Sequence, residues 1–267
     1  MSQAWRAWSR EKLEHEYSPS QWAKQSYADY APLLQAASDL ARSTLESKLN
    51  IDSYGSRKRN QIAWSPPTSR DEIFVWIHGG YWQGSSIDEA LIGADDLVEQ
   101  GFGYAAMEYT LAPEISVREI VDECAAALNW IRDRNDGKSI IIGGHSAGAH
   151  LALSVAQRSQ VSGLVLVSGI FDLRPISRTT INEPLGLTEA DAIEASPIFA
   201  PFPFPCAAEV LVGREESPSF HSQAIAAFDY LVDKGSRAQL ITIDGLDHFD
   251  IILSGQHLKS FLRLADR

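Results

Sequence analysis

The chain has 267 residues, which is long enough to bury a sizeable hydrophobic core as one domain. A composition of 45% hydrophobic and 22% charged residues excludes the disordered, collagen-like and coiled-coil classes. The net charge of −12 disfavours nucleic acid as a partner, because an acidic surface repels phosphate backbones.

Cysteine usage and hydropathy indicate the cellular compartment. The two cysteines, Cys124 and Cys206, are too few for a disulfide framework, so we expect reduced thiols. The first residues carry charge but lack the apolar segment of a secretory signal. No apolar run approaches the roughly 18–20 residues that span a bilayer. We therefore expect a cytoplasmic protein without membrane association.

The predicted elements begin with residues 1–50, an aromatic-rich segment with helical patterns that we expect to form a cap. Short, nearly continuous apolar runs rich in Val and Ile follow, and they alternate with longer amphipathic stretches. Such runs are typical of strands buried on both faces of a parallel sheet. The predicted strands are 73–77, 104–109, 139–143, 164–171, 209–212 and 239–243.

Two stretches between these strands, 116–135 and 218–234, carry apolar residues at helical spacing. Ser217-Pro218 resembles an N-cap followed by proline, and Gly235 is placed to end that helix. Residues 172–206 form a long connection with one short helical piece at 188–195, and we expect a lid there, with a packed surface loop as the alternative. Together these elements predict a single α/β domain over 1–267, with a doubly wound, mostly parallel sheet.

The first chemical motif is G-x-S-x-G at residues 144–148, Gly-His-Ser-Ala-Gly. The pattern alone is weak, but here it follows a predicted strand and opens a helical stretch. A strand-to-helix turn of this kind exposes the serine hydroxyl, so Ser146 is the predicted nucleophile. The helix that follows offers backbone N–H groups and the positive end of its dipole to an anion.

A second motif, His-Gly-Gly-Tyr-Trp at 78–82, follows the strand at 73–77. Its glycines allow the loop to turn so that backbone N–H groups point at the reacting oxygen. We expect Gly80, Tyr81 and Ala147 to donate to a tetrahedral oxyanion. A simple glycine turn after a strand is the alternative for this motif taken alone.

A serine nucleophile needs a histidine base and a carboxylate that orients the histidine. In the chain, the acid follows the serine and the histidine follows the acid. His248, just beyond the last predicted strand, is the expected base. Glu216 is the favoured acid because it precedes the helix cap, and Glu215 and Asp172 remain alternatives. An acid directly adjacent to the histidine is disfavoured, because its side chain cannot easily turn back onto the imidazole.

The remaining histidines are interpreted as non-catalytic. No H-E-x-x-H or cysteine–histidine spacing is present, so we expect no metal site. Three histidines are predicted to lie on the surface: His15, His221 and His257. Three others are predicted to be structural: His78, His145 and His150.

These motifs resemble a known family. Residues 78–83, 144–152 and 247–252 together resemble the kynurenine formamidase (arylformamidase) family, α/β-hydrolases related to the hormone-sensitive-lipase-like esterases. Residues 17–22 (Tyr-Ser-Pro-Ser-Gln-Trp) and 217–220 (Ser-Pro-Ser-Phe) resemble further segments of it. The resemblance therefore covers most of the chain.

The resemblance places the family's nucleophile on Ser146, its histidine on His248 and its acid on Glu216. An aspartate is usual at the acid position, so the longer glutamate leaves Glu215 open as a substitute. The implied reaction is hydrolysis of N-formylkynurenine to kynurenine and formate, and no cofactor is implied. Aromatic side chains could stack on an aryl substrate, with core packing as the alternative for each; the candidates are Trp22, Tyr81, Trp82 and Phe171.

One alternative function stays open, and another is disfavoured because the nucleophile, acid, histidine and oxyanion loop are all present. A carboxylesterase for small esters would use the same triad, and a non-catalytic receptor would be expected to lack one of its parts. A small molecule is the expected partner, and a homodimer is one assembly open to the chain.

Overall fold

The computed structural model describes residues 4–266 as an eight-stranded sheet with helices on both faces. The strand order is β1-β2-β4-β3-β5-β6-β7-β8. The strands are β1 Asn50–Ser53, β2 Gln61–Ser65, β3 Glu72–Ile77, β4 Gly103–Met107, β5 Ser139–His145, β6 Gly163–Val167, β7 Ala207–Gly213 and β8 Arg237–Ile243. The strands from β3 onward pair in parallel, whereas β1 with β2 and β2 with β4 pair antiparallel. The expected α/β fold with a mostly parallel sheet is confirmed.

The helices divide into two layers. They are α1 Arg10–Glu16, α2 Tyr27–Leu45, α3 Ala94–Glu99, α4 Val117–Arg134, α5 Ala147–Ala156, α6 Glu189–Glu194, α7 Pro218–Asp233, α8 Asp250–Leu253 and α9 Gln256–Ala265. Helices α4, α5 and α7 pack on one face of the sheet, and α2, α3 and α9 pack on the other. None of the described helices has the length and apolar character needed to cross a bilayer.

The sequence patterns account for the central strands and the long helices. Every residue of β4 and β6 is buried, as expected for strands covered on both faces. Ser116 and Glu119 form a capping box at the start of α4. Ser217 accepts from the Phe220 N–H at the start of α7.

Strands β1 and β2 were missed, and two strands were predicted too long: β4 ends at Met107 rather than at residue 109, and β6 is also shorter than predicted. All four residues of β1 are exposed, so this edge strand carries no apolar alternation. Strand β6 ends at Val167 rather than at residue 171, because Ser168 takes a positive φ of 50° and turns the chain out of the sheet.

The two segments outside the strand–helix rhythm pack against each other. The N-terminal segment is helical, as predicted, in α1 and α2. Arg6 forms an ion pair with Glu189, and the Glu14 carboxylate accepts from Thr180. Residues 172–206 contain short helical turns and α6, which matches the helical piece expected there.

Candidate active site

Ser146 occupies a sharp turn between β5 and α5. Its backbone lies at φ 56° and ψ −119°, a strained conformation for a residue other than glycine. A Cβ on Gly148 would lie 2.1 Å from the Ile77 carbonyl oxygen, and one on Gly144 would lie 2.3 Å from the Gly148 carbonyl carbon. Both glycines of the motif are therefore required by the close approach of the backbone.

Glu216 and His248 form a buried pair near this turn. The Glu216 Oε2 lies 2.7 Å from Nδ1 of His248. The other carboxylate oxygen accepts from the Ser168 hydroxyl at 2.5 Å and from the Gly213 N–H at 2.7 Å. Because the carboxylate is fixed by three partners, it holds the imidazole in one orientation. His248 and Ser146 line the same cavity.

The alternative acids lie in other environments. Glu215 is exposed, whereas Glu216 is 4% exposed. Asp172 is held by Arg174, which donates to both of its carboxylate oxygens at 2.9 and 2.7 Å. Asp247 accepts from the Tyr30 hydroxyl at 2.7 Å. Of the acids considered from the sequence, Glu216 is the one that the structure places on His248.

The loop at 78–82 lies beside Ser146, as its motif predicts. Gly80 has a φ of 92°, and a Cβ there would lie 2.3 Å from the Gly84 carbonyl oxygen. Neither the Gly80 N–H nor the Tyr81 N–H donates to another described residue. Ala147 is the first residue of α5, so its N–H has no partner within the helix. The three amides are free to donate to a ligand atom.

His78 braces this loop, in line with its predicted structural role, through a polar network whose other members the sequence did not predict. His78 contacts the Glu108 carboxylate through Nε2 at 3.0 Å and stacks on the ring of Tyr109 at 4.2 Å. The Tyr109 hydroxyl donates to the carbonyls of His78 and Gly79 at 3.1 and 2.9 Å. Arg59 donates to Glu108 at 2.7 Å. The one sequence signal for this network was Glu108, a carboxylate near the end of a predicted buried strand.

Two other histidines, His150 and His257, are both buried. Trp82 donates to Nδ1 of His150 at 3.2 Å, and burial lowers the pKa of His150 to about 4. His150 is structural, as predicted. His257, predicted at the surface, is buried against Trp76 at 4.8 Å between ring centroids. This prediction was wrong because α9 turns an apolar face toward the sheet, and His257 lies on that face.

Known proteins share this architecture. A family model described as an alpha/beta hydrolase fold matches residues 74–190. A kynurenine formamidase from Danio rerio is 30% identical over 93% of this chain and 92% of its own. Its counterpart from Salmo salar is 31% identical over the same shares. This chain belongs to the kynurenine formamidase family of α/β-hydrolases.

Solved structures agree with the fold of this family member. A structure from Silicibacter sp. TM1040, provisionally named a thioesterase, superposes with a TM-score of 0.82 at 27% identity and covers 92% of this chain and 95% of its own. An esterase from Pyrobaculum calidifontis superposes with a TM-score of 0.70 at 19% identity, over 96% and 94% of the two chains. Its identity is low enough that it supports the fold alone. As a member of the kynurenine formamidase family, the protein is a hydrolase.

The cavity of this family member has a volume of about 410 Å³. The N-terminal segment supplies one wall, and the loop after β3 supplies another. Within residues 4–266, no group of three His, Cys, Asp or Glu side chains is placed to hold a metal ion. The described residues around the cavity are Pro19, Ser20, Tyr27, Leu34, Trp76, His78, Gly79, Gly80, Tyr81, Gln83, Gly84, Ser85, Glu89, Ile92, His145, Ser146, His248, Phe249 and Ile252.

Only one of the four aromatic candidates for substrate contact lines this cavity. Tyr81 does so, and its hydroxyl donates to the Tyr17 carbonyl at 2.5 Å. Trp82 and Phe171 are both 0% exposed and belong to the hydrophobic core. Trp22 donates to the carbonyl of His15 and packs on its ring, away from the cavity. These three positions are corrected to packing roles.

The segment 172–206 does not line this cavity, contrary to the expectation of a lid. It packs beside α5, where His150 contacts the Ala195 carbonyl and Gln157 donates to the Pro197 carbonyl. Part of it lines a separate cavity of about 660 Å³ with residues of α4 and α5. The N-terminal segment therefore takes the position expected of the lid.

The N-terminal segment also contacts the loops that carry Glu216 and His248. The Lys24 N–H donates to the Asp247 carboxylate at 2.8 Å, as does the Tyr30 hydroxyl at 2.7 Å. The Ser217 hydroxyl donates to the Glu16 carbonyl at 2.6 Å. The loops on both sides of the Glu216–His248 contact are therefore held by one segment.

Proposed function

We propose that this hydrolase cleaves aryl formamides, with N-formylkynurenine as the substrate and kynurenine and formate as the products. The observation that carries the proposal is the Glu216–His248 contact of 2.7 Å in a cavity that Ser146 also lines. Membership of the kynurenine formamidase family supports the formamide as the substrate.

In the proposed first step, the Ser146 hydroxyl attacks the formyl carbon while His248 takes its proton. Glu216 holds Nδ1, so the other ring nitrogen is the one that accepts. The tetrahedral oxyanion would be stabilised by the N–H groups of Gly80, Tyr81 and Ala147. The imidazolium then protonates the aniline nitrogen, the C–N bond breaks and the arylamine leaves.

In the proposed second step, water attacks the formyl ester on Ser146. His248 takes a proton from that water and returns it to the serine oxygen, and formate is released. Protonation of the leaving group matters more for an amide than for an ester, because an amide anion is a poor leaving group. An orientation of His248 fixed by Glu216 supports this role.

A formamidase needs little space at the acyl side of its site. The backbone of Gly79 lies close to the serine turn, since a Cβ there would lie 3.1 Å from Cβ of Ser146 and 3.0 Å from the His145 carbonyl oxygen. A formyl group carries only hydrogen on its carbon and needs little space there. Each added methylene in a tight site costs about 1–3 kcal/mol, so kcat/KM should fall steeply from formyl to acetyl to butyryl.

The test is spectroscopic turnover of N-formylkynurenine beside p-nitrophenyl acetate, with Ser146→Ala as the blank. The proposal expects the formamide to be cleaved with the higher kcat/KM. A formanilide without the amino-acid chain should react more slowly, because it lacks contacts that orient it. A flat or rising profile from acetyl to butyryl esters, with no formamide turnover, would establish a carboxylesterase instead.

A further inference from the structure

The cavity contains one carboxylate that the proposed mechanism does not use. Glu89 follows the oxyanion loop and lines the cavity with Ser146 and His248. Its side chain has no hydrogen bond or ion pair with any residue in the described range 4–266. A partly buried carboxylate without a partner is costly unless a ligand or water supplies one.

The backbone around Glu89 is fixed on both sides. The Asp88 carboxylate pairs with Arg42, and the Ser38 hydroxyl donates to the Asp88 carbonyl. The Tyr104 hydroxyl donates to the Ala90 carbonyl at 2.7 Å. The neighbouring carboxylate is thus neutralised and the turn is anchored, while the Glu89 charge is left unmatched at the cavity.

Among the described residues, the cavity lining offers no free cationic side chain to match Glu89, because its histidines His78 and His248 face carboxylates of their own, Glu108 and Glu216. Within the described part of the chain, the lining includes no lysine or arginine. Burial, and then the charge of His248, hold the pKa of His145 well below its usual range, so His145 is neutral. A positively charged group that enters the cavity would therefore be attracted, whereas a second carboxylate placed near Glu89 would be repelled.

Aromatic rings lie within electrostatic reach of the same carboxylate. Tyr27 and Phe249 both line the cavity, with ring centroids 5.4 Å apart. Burial, and after it the charge of Glu89, raise the pKa of the Tyr27 phenol. An ammonium group binds favourably to a carboxylate and to the faces of aromatic rings.

A second polar atom on this wall is also unpartnered. The Ser85 hydroxyl is buried, lines the cavity and makes no hydrogen bond with a described residue. Its backbone is held by Arg59, which donates to the Ser85 carbonyl at 2.8 Å. The cavity wall formed by residues 85–89 therefore presents unpartnered polar groups that a polar ligand could bind, while the rest of the cavity lining is largely apolar.

We propose that Glu89 determines substrate specificity by binding the α-ammonium group of the substrate while Ser146 attacks the formyl carbon. The inference rests on the proposed function and names the charge that the amino-acid end must carry. Aryl formamides with an ammonium group are then the preferred class, and those with a carboxylate alone are disfavoured.

The test compares three formamides of one aryl ketone scaffold. N-formylkynurenine carries both charges, its decarboxylated analogue carries only the ammonium, and its deaminated analogue carries only the carboxylate. In Glu89→Gln, kcat/KM for the two ammonium substrates should fall about tenfold, mainly through KM, as expected for a lost charge-assisted contact. The deaminated substrate should react as before or faster.

Glu99→Gln is the matched control, because it removes an exposed carboxylate of α3 and leaves the cavity unchanged. It should leave all three rates near wild type, and Glu89→Asp should restore part of the preference. An equal loss on the deaminated substrate would make Glu89 merely structural, and no loss on N-formylkynurenine would overturn the inference.

The same three compounds, with an acetoxy group in place of the formamide, separate the proposed formamidase activity from the proposed role of Glu89. If the wild-type enzyme cleaves only these esters, the formamidase proposal fails. The role of Glu89 is still decided there, because Glu89→Gln must lower kcat/KM selectively for esters that carry the ammonium. Equal rates for the charged esters in both proteins would reject it independently.

Discussion

Two buried histidine–glutamate pairs lie at the same cavity and differ in what surrounds them. His248 contacts Glu216 at 2.7 Å and His78 contacts Glu108 at 3.0 Å. Nδ1 of His78 also lies 3.0 Å from the Gly79 carbonyl oxygen, so both of its nitrogens face oxygen atoms. No second polar contact is made by the His248 side chain within residues 4–266.

The carboxylates differ as well. Glu216 accepts from a hydroxyl and a backbone N–H besides His248, whereas Glu108 also accepts from Arg59 and from the Ile87 N–H. A histidine–glutamate contact is therefore not sufficient for acid–base chemistry. The free nitrogen at the cavity suits His248 to proton transfer, and the saturated network of His78 suits it to bracing the loop.

The largest effect should come from the proposed nucleophile and base. Ser146→Ala and His248→Ala should each lower kcat by about 10⁵–10⁶, and the double variant should be no worse, because the residues act as a unit. Thermal unfolding should change little. Near-normal turnover by Ser146→Ala would eliminate a covalent mechanism.

The next effect separates the two acids. Glu216→Gln should lower kcat by roughly 10³–10⁴, because an amide N–H facing Nδ1 would favour the wrong tautomer of His248. Glu216→Asp should keep partial activity, since its carboxylate is preserved but set back. The measurement is kcat alongside the melting temperature, and a stability loss without a loss of kcat would contradict the assignment.

Glu108→Gln should behave in the opposite way. It should lower the free energy of unfolding by about 3 kcal/mol, because it breaks a buried charged network, while kcat falls less than about tenfold. Urea unfolding followed by circular dichroism measures the first effect, and initial rates on folded protein measure the second. A loss of kcat as large as that of Glu216→Gln would remove the distinction between the pairs.

The stability that the Glu108 carboxylate contributes should depend on pH. Burial raises the pKa of Glu108, but the hydrogen bond and charge of His78, with further donors, outweigh burial and hold it below the usual value of 4.5. A lowered folded pKa stabilises the protein above the unfolded pKa, and that stability is lost as pH falls through the folded pKa. The stability difference between wild type and Glu108→Gln should therefore shrink below pH 4.5.

The smallest effect belongs to Glu215, the neighbour of the proposed acid. Glu215→Ala should lower kcat less than about tenfold, because its exposed side chain contacts neither His248 nor the cavity. If this variant loses more activity than Glu216→Gln, the acid has been assigned to the wrong glutamate.

The fold could be predicted where burial leaves a pattern in the sequence. The central strands carry continuous apolar runs because helices cover both faces, and these runs place all six parallel strands. The exposed β1 lacks such a run, so its place depends on pairing with β2 rather than on its own residues. Periodicity alone cannot identify an edge strand of this kind.

The site could be predicted where its geometry is local. The serine turn depends on Gly144 and Gly148, which are visible in the sequence as a motif. Adjacent side chains were harder to assign: Tyr81 and Trp82 both have positive φ, yet one lines the cavity and the other is in the core. The role of Glu108 could not be predicted, because it depends on a contact with His78, 30 residues away in the sequence, which only the folded chain reveals.

The contact between Tyr30 and Asp247 also bears on how the enzyme is made. The two residues are 217 positions apart, and Asp247 directly precedes His248. On a ribosome, Tyr30 emerges early and must wait for the histidine loop to be synthesised before the two can meet. Because non-local contacts form late in folding, we expect a nascent chain to gain activity only after residues 247–248 have left the ribosome and can contact the segment that carries Tyr30.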